Sequence, residues 1–254
     1  MSPSIWTRCA GSFKPQRLSL RAWRNVEAQH VYATRALVGS AEDQELLETI
    51  LEESKPKVPG DDADGLHYLL YTPFRYPVPL KYPSRFGTRQ ERGLWYGSEN
   101  PRTSFAETAY YRLAFLEASD AELGDVTVQR TLFSVQVKTA KGIDLTRAPF
   151  AAHEVEISSP ASASAAQELG KDMRAARIEA FLYRSARDRE GGRNVGVLSG
   201  FAFAQKRPTV FQTWTCVANK RRVEFTRTDL HGRDQYVFER EQFEVDGHLP
   251  RPVS

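Results

Sequence analysis

The stretch Val126 to Lys138, VTVQRTLFSVQVK, alternates with a period of two residues and predicts a long β-strand. Shorter apolar segments follow it at Ile178–Tyr183, Val195–Leu198, Thr209–Val217, Arg222–Thr226 and Gln235–Glu239, so the second half of the chain is strand-rich. Two helices interrupt this pattern. One begins at Asn100-Pro101, where proline in the first turn forfeits no hydrogen bond, and carries Phe105, Ala109, Leu113 and Leu116 as an apolar stripe. The other is expected over Ser162–Arg177. Strands and helices without a regular βαβ alternation imply an α+β fold: mixed or antiparallel sheets with flanking helices.

The first third is less regular. Leu46, Leu47, Ile50 and Leu51 recur at helical spacing after Ser40, opposite a set of acids. Lys55 to Asp64, with two prolines and a glycine, reads as a loop. The segments before it are too short to hold a core, so residues 1–254 are expected to form one domain, with about 1–70 packed on its core as an extension. HYLLYTPFRYPVPL is expected to be extended, as an edge strand or a polyproline-like wall, because Pro73, Pro77 and Pro79 interrupt it.

Composition narrows the function classes. No apolar run approaches the length of a membrane span, and the N-terminus lacks the apolar segment of a secretory signal. The two cysteines, Cys9 and Cys216, lie far apart without metal-ligand spacing; a reducing cytoplasmic setting and no metal site are expected. Net charge is only +3, but it is unevenly spread. Gly39–Gly65 carries nine acids against two lysines, whereas Lys171–Arg240 carries fifteen Lys/Arg against eight acids. A basic C-terminal half suits either a polyanion or a small phosphate-bearing substrate.

The chemistry concentrates in SRFGTRQERGLWYGSENPRTSFAETAYYR, Ser84 to Arg112. Arg85 supplies an oxyanion binder, Tyr96 a flat stacking surface and Glu107 a carboxylate, all within 23 residues. A glutamate in a helix usually sits on the solvated face. Glu107, however, is flanked by Phe105, Ala106, Ala109 and Tyr110, which place it beside the buried stripe. Downstream, in IEAFLYRSARDREGGRNVGVL, Ser185 ends one apolar run before a Gly-Gly turn and the next run.

Arg, Tyr, Glu and Ser in this order resemble the RES domain family. WRNVE, PFRYP and SRFG resemble the corresponding elements of its longer subgroup. That resemblance implies an ADP-ribosyltransferase-like fold and a toxin of a toxin–antitoxin pair that consumes NAD. NAD would be a substrate rather than a recycled cofactor, with phosphate or water as acceptor. Cleaving the nicotinamide–ribose bond generates an oxocarbenium-like centre, for which Glu107 is the stabilising carboxylate, Arg85 the diphosphate ligand and Ser185 a donor to ribose or phosphate. Tyr96 would form the wall for the nicotinamide ring, helped by Tyr76, while Arg24 and Arg75 would add contacts to NAD. Since Arg85-Phe86-Gly87 stands where short members carry Gly-Arg-Trp-Asn, the family arginine is open among Arg24, Arg75 and Arg85. The resemblance also implies an Xre-type helix-turn-helix antitoxin that blocks the pocket. Two other readings remain: ADP-ribosylation of a protein target, and a basic nucleic-acid-binding protein using Phe211, Trp214 and Phe225.

Overall fold

A computed structural model describes residues 3–28, 43, 50, 60–76, 78–121, 123–229 and 232–251. Its strands are β1 (Gln16–Glu27), β2 (Trp95–Ser98), β3 (Val126–Asp144), β4 (Ala180–Arg184), β5 (Arg193–Val197), β6 (Val210–Ala218), β7 (Arg222–Asp229) and β8 (Gly232–Glu239). The described helices are α1 (Ile5–Cys9), α2 (Tyr68–Arg75), α3 (Pro101–Glu117), α4 (Glu154–Ile157) and α5 (Ser164–Ala175). The helix expected after Ser40 falls outside the described residues, apart from Asp43 and Ile50, as does most of the loop expected from Lys55.

The eight strands form one mixed sheet, in the order β1-β2-β5-β4-β3-β6-β7-β8. β1 also pairs antiparallel with β3, from Gln16↔Gly142 to Glu27↔Arg130, so the first five strands close on themselves. β3 makes this possible through its length. Its early residues pair with β6, and its end, Gly142–Asp144, runs parallel to β4. The fold is α+β, as the sequence predicts, and the N-terminal region is part of the sheet through β1.

Three groups of buried side chains hold the helices to the sheet. α2 brings Leu69, Leu70 and Phe74 onto Trp95, Phe133 and Val195. α5 brings Ala166, Leu169 and Met173 onto Phe86, Phe181 and Tyr183. α3 brings Phe105, Ala109 and Leu113 onto Trp214, Phe225 and Phe238. Burying side chains of this size contributes about 1.5–3 kcal/mol each before the cost of chain ordering.

The segment around Pro73 departs from expectation: it is the helix α2, with Pro73 inside it. An interior proline removes the N–H that would bond to the carbonyl four residues back, here that of Leu69. The indole N–H of Trp95 donates to that Leu69 carbonyl at 3.2 Å. The lost helical bond is therefore replaced from the sheet. Because Trp95 is fully buried on β2, this contact also fixes α2 against the strand that carries Tyr96.

Candidate active site

α3 begins where Asn100 accepts from the Thr103 amide at 2.9 Å, with Pro101 in the first turn. From there its residues divide into two stripes. Phe105, Ala109, Leu113 and Leu116 face the core, while Ser104, Glu107, Thr108, Tyr111, Arg112 and Phe115 line a cleft of about 650 Å³. The opposite walls come from Arg24, Asn25 and Glu27 of β1, Tyr96–Ser98 of β2, Ser84-Arg85, Arg130, Tyr183, Arg187 and Asn194.

Glu107 is anchored from the sheet side. Its Oε1 accepts from Ser185 Oγ at 2.7 Å and from Asn194 Nδ2 at 2.5 Å. Asn194 is held in turn by Ser98, whose hydroxyl donates to its Oδ1 at 2.7 Å. Strand register explains this arrangement. Ser98 and Tyr183 both pair with Asn194, so the three stand in a row across β2, β5 and β4. One carboxylate oxygen is thus fixed by two donors, and no described residue donates to the other.

Ser185 sits behind this carboxylate rather than in the cleft wall. Its buried hydroxyl donates to Glu107 and accepts from the Arg187 and Asp188 amides at 3.1 and 3.0 Å. A hydroxyl has one proton and two lone pairs, so its capacity is used. The geometry makes Ser185 a positioning residue for Glu107 instead of a donor to a bound ligand. The loop that carries it is locked to α3: Asp188 accepts from Thr103 Oγ1 at 2.7 Å and pairs with Arg102. Gly192 closes the loop because a Cβ there would stand 1.9 Å from Thr103 Oγ1.

Tyr96 contributes its ring to the cleft, while its hydroxyl is engaged elsewhere. It accepts from the Phe86 amide and donates to Ser84 Oγ, both at 3.0 Å. These bonds bracket Arg85, whose guanidinium donates to the Ser159 carbonyl at 2.8 Å. Burial raises the Tyr96 phenol above its ordinary pKa. Burial, followed by the nearby Glu107 charge, raises Tyr183 further. Both rings remain neutral donors at physiological pH.

The other wall holds donors without acceptors. Nη1 of Arg24, Nδ2 of Asn25 and Nε of Arg112 are buried in the cleft lining with no hydrogen-bond partner. Arg24 lies over the Trp95 ring, 5.4 Å from its centroid, and burial lowers its pKa to about 10. Arg130, beside it, is held by Asn25 Oδ1 at 3.0 Å. Buried donors without partners are costly, so this wall is built to receive an acceptor-rich anion.

Of the residues singled out in the sequence, Arg24, Arg85, Tyr96 and Glu107 line one cleft, with Ser185 directly behind Glu107. Arg75 and Tyr76 do not. Arg75 turns inward from α2 and donates to the Tyr71 hydroxyl at 2.8 Å, and Tyr76 is exposed at the end of that helix. The helix that runs through Pro73 to Arg75 leaves both out of the cleft lining. Arg184 and Arg193, on either side of Ser185 in the sequence, are engaged in ion pairs: Arg193 with Glu99 and Asp144, and Arg184 with Glu154. Of the three aromatics in the nucleic-acid reading, Trp214 and Phe225 are core side chains packed on Phe105, and Phe211 is exposed. The structure adds Asn25, Arg112, Arg130 and Asn194 to the site.

A family model described as the RES domain matches residues 61–219, well over half of the chain. This chain belongs to the RES domain family. The match includes Arg85, Tyr96, Glu107, Ser185 and Asn194, while Arg24 lies outside it. No curated protein matches the chain significantly. Among solved structures, a chain of the M. tuberculosis MbcT–MbcA toxin–antitoxin complex is similar at 12% identity and a TM-score of 0.44, covering 78% of this chain and 85% of that one. Among the described residues of this RES domain protein, no helix is long and apolar enough to cross a membrane.

Proposed function

We propose that this protein is a RES-type toxin that degrades NAD by cleaving the nicotinamide–ribose bond, with phosphate or water as acceptor. The observation that carries the reading is the fixed carboxylate of Glu107 facing, across one cleft, a wall of buried donors that lack acceptors. NAD offers both partners. Its diphosphate is an acceptor for Arg24, Asn25 and Arg112, and its ribose develops positive charge as the leaving nicotinamide becomes neutral. A carboxylate held rigid before the reaction stabilises that charge without reorganising. Because the pyridinium leaves as a neutral ring, the step needs no proton donor, and the neutral Tyr96 and Tyr183 rings serve as walls. On this reading the diphosphate falls to Arg24 and Arg112, and Arg85 stands near the reacting end. The family resemblance adds an antitoxin of the Xre type as the partner that closes the cleft.

The test is product analysis by chromatography and mass spectrometry after mixing the protein, NAD and phosphate. Free nicotinamide together with ADP-ribose 1″-phosphate supports phosphorolysis, and nicotinamide with ADP-ribose supports hydrolysis. ADP-ribose attached to an added protein supports transfer instead. Intact NAD under all conditions overturns the reading.

Tyr96 offers a further check. With its hydroxyl spent on Ser84 and Phe86, Tyr96→Phe leaves the ring wall in place but frees the segment that carries Arg85. Losing about 1 kcal/mol of hydrogen bonding corresponds to roughly a fivefold weaker equilibrium. NAD turnover kinetics should therefore show a several-fold loss in kcat/KM, with Ser84→Ala moving in the same direction. A Tyr96→Phe enzyme indistinguishable from the parent would leave the ring as the whole contribution.

A further inference from the structure

Beyond Arg85 and Arg187 the cleft opens into a second recess of about 400 Å³, lined also by Ser159–Ser164, Gln167, Pro250 and Arg251. Three features set its chemistry. It contains three arginines and no carboxylate among its lining residues. It lies at the start of α5, whose N-cap is Ala163, a side chain unable to accept from the first turn. Ser162 Oγ instead accepts from the Ser164 amide at 3.4 Å, and the partial positive charge of this twelve-residue helix end faces the recess with no carboxylate in its lining. Finally, Arg187 is more than nine-tenths buried, stacks on the Tyr110 ring at 3.5 Å, and has an Nη1 without a partner.

Arg187 is also held below its ordinary basicity, by burial first, with the neighbouring Arg85 guanidinium acting in the same direction. Tyr110 and Glu107 oppose this, but Glu107 already accepts from Ser185 and Asn194 and lines the main cleft, not the recess. Two like charges facing a shared recess, with a helix N-terminus beside them, are relieved by one anion between them. Part of the wall lies beyond the residues matched to the family: Pro250, fixed when its carbonyl accepts from Tyr110 at 2.8 Å, and Arg251.

We infer that this recess is a binding site for a phosphate dianion, either free phosphate or the terminal group of a small phosphomonoester. Its occupancy neutralises the Arg85–Arg187 side of the main cleft. The inference concerns binding alone and does not depend on NAD cleavage.

The test is a phosphorus NMR titration of the full chain without NAD, using inorganic phosphate in one arm and ribose 5-phosphate in the other. Saturable binding is expected in at least one arm, and the stronger arm identifies the source. Ser162 is exposed at the recess, so Ser162→Asp should fold normally and weaken binding at least tenfold by placing a like charge there. Ser162→Ala should stay within about twofold of the parent, which separates the added charge from loss of the hydroxyl. Absence of saturable binding in both arms overturns the site, as does binding that Ser162→Asp leaves unchanged. A protein that binds phosphate in this way yet spares NAD would refute the proposed activity and keep the recess. One that consumes NAD without such binding would do the reverse.

Discussion

Glu107→Gln should lower the rate of NAD loss by about 10² to 10³ while leaving the protein folded, since one preorganised electrostatic contact to a developing charge is worth that much. The structure makes this substitution unusually clean. Both anchoring bonds go to Oε1, from Ser185 Oγ and Asn194 Nδ2. A glutamine amide oxygen can accept the same two bonds in the same place. The variant therefore removes charge without removing shape or hydrogen bonding. The measurement is NAD loss by chromatography beside thermal unfolding of both proteins. A large loss of rate at unchanged Tm assigns the effect to the carboxylate charge, and near-normal turnover would reduce Glu107 to part of the scaffold. Ser185→Ala separates positioning from chemistry: with one of two anchors gone, kcat should fall less than for Glu107→Gln and KM should change little.

How much of this was legible in the sequence depended on whether a residue's role is local. Asn100-Pro101 specifies its own helix start, and the alternation in Val126–Lys138 specifies its own strand, which runs on to Asp144 in the structure. Glu107 was legible because its apolar neighbours lie within one helical turn of it. By contrast, the helix at Tyr68–Arg75 survives Pro73 through a donor from Trp95, more than twenty positions away, which no local pattern encodes. β1 was not anticipated, although Leu18, Leu20 and Ala22 alternate within it, because its partner β3 lies a hundred residues on. Arg112 and Arg130 reach the site by two routes. Arg112 joins the cleft stripe of α3 by its spacing from Ser104, Thr108 and Phe115, and Arg130 stands between Val128 and Leu132 on one strand face. Both signals were present, yet each reads as ordinary surface charge until the fold brings it to the cleft, Arg130 by a register that pairs it with Glu27 and sets its guanidinium on Asn25 Oδ1.

Arg24 should show opposite effects on stability and on binding. In the free protein it is a cation with a buried nitrogen that has no acceptor, and burial alone brings its pKa to about 10. A base whose folded pKa is depressed costs stability wherever both states are protonated, here at all pH below about 10, and the cost fades only as pH rises through that value. At neutral pH the penalty is fully present. Arg24→Met removes the charge while keeping an unbranched side chain that packs against the Trp95 ring. The free protein should gain about 2–4 °C in Tm, the change that roughly 1 kcal/mol makes in a domain of this size. NAD binding should weaken by roughly 10- to 100-fold, because charge-assisted hydrogen bonds contribute about 1.5–3 kcal/mol. Thermal unfolding with and without NAD reads both effects at once: the variant starts higher and gains less from ligand. A lower Tm with undiminished NAD binding would instead make Arg24 a structural cation of the β1–β2 wall, and would move the diphosphate away from it.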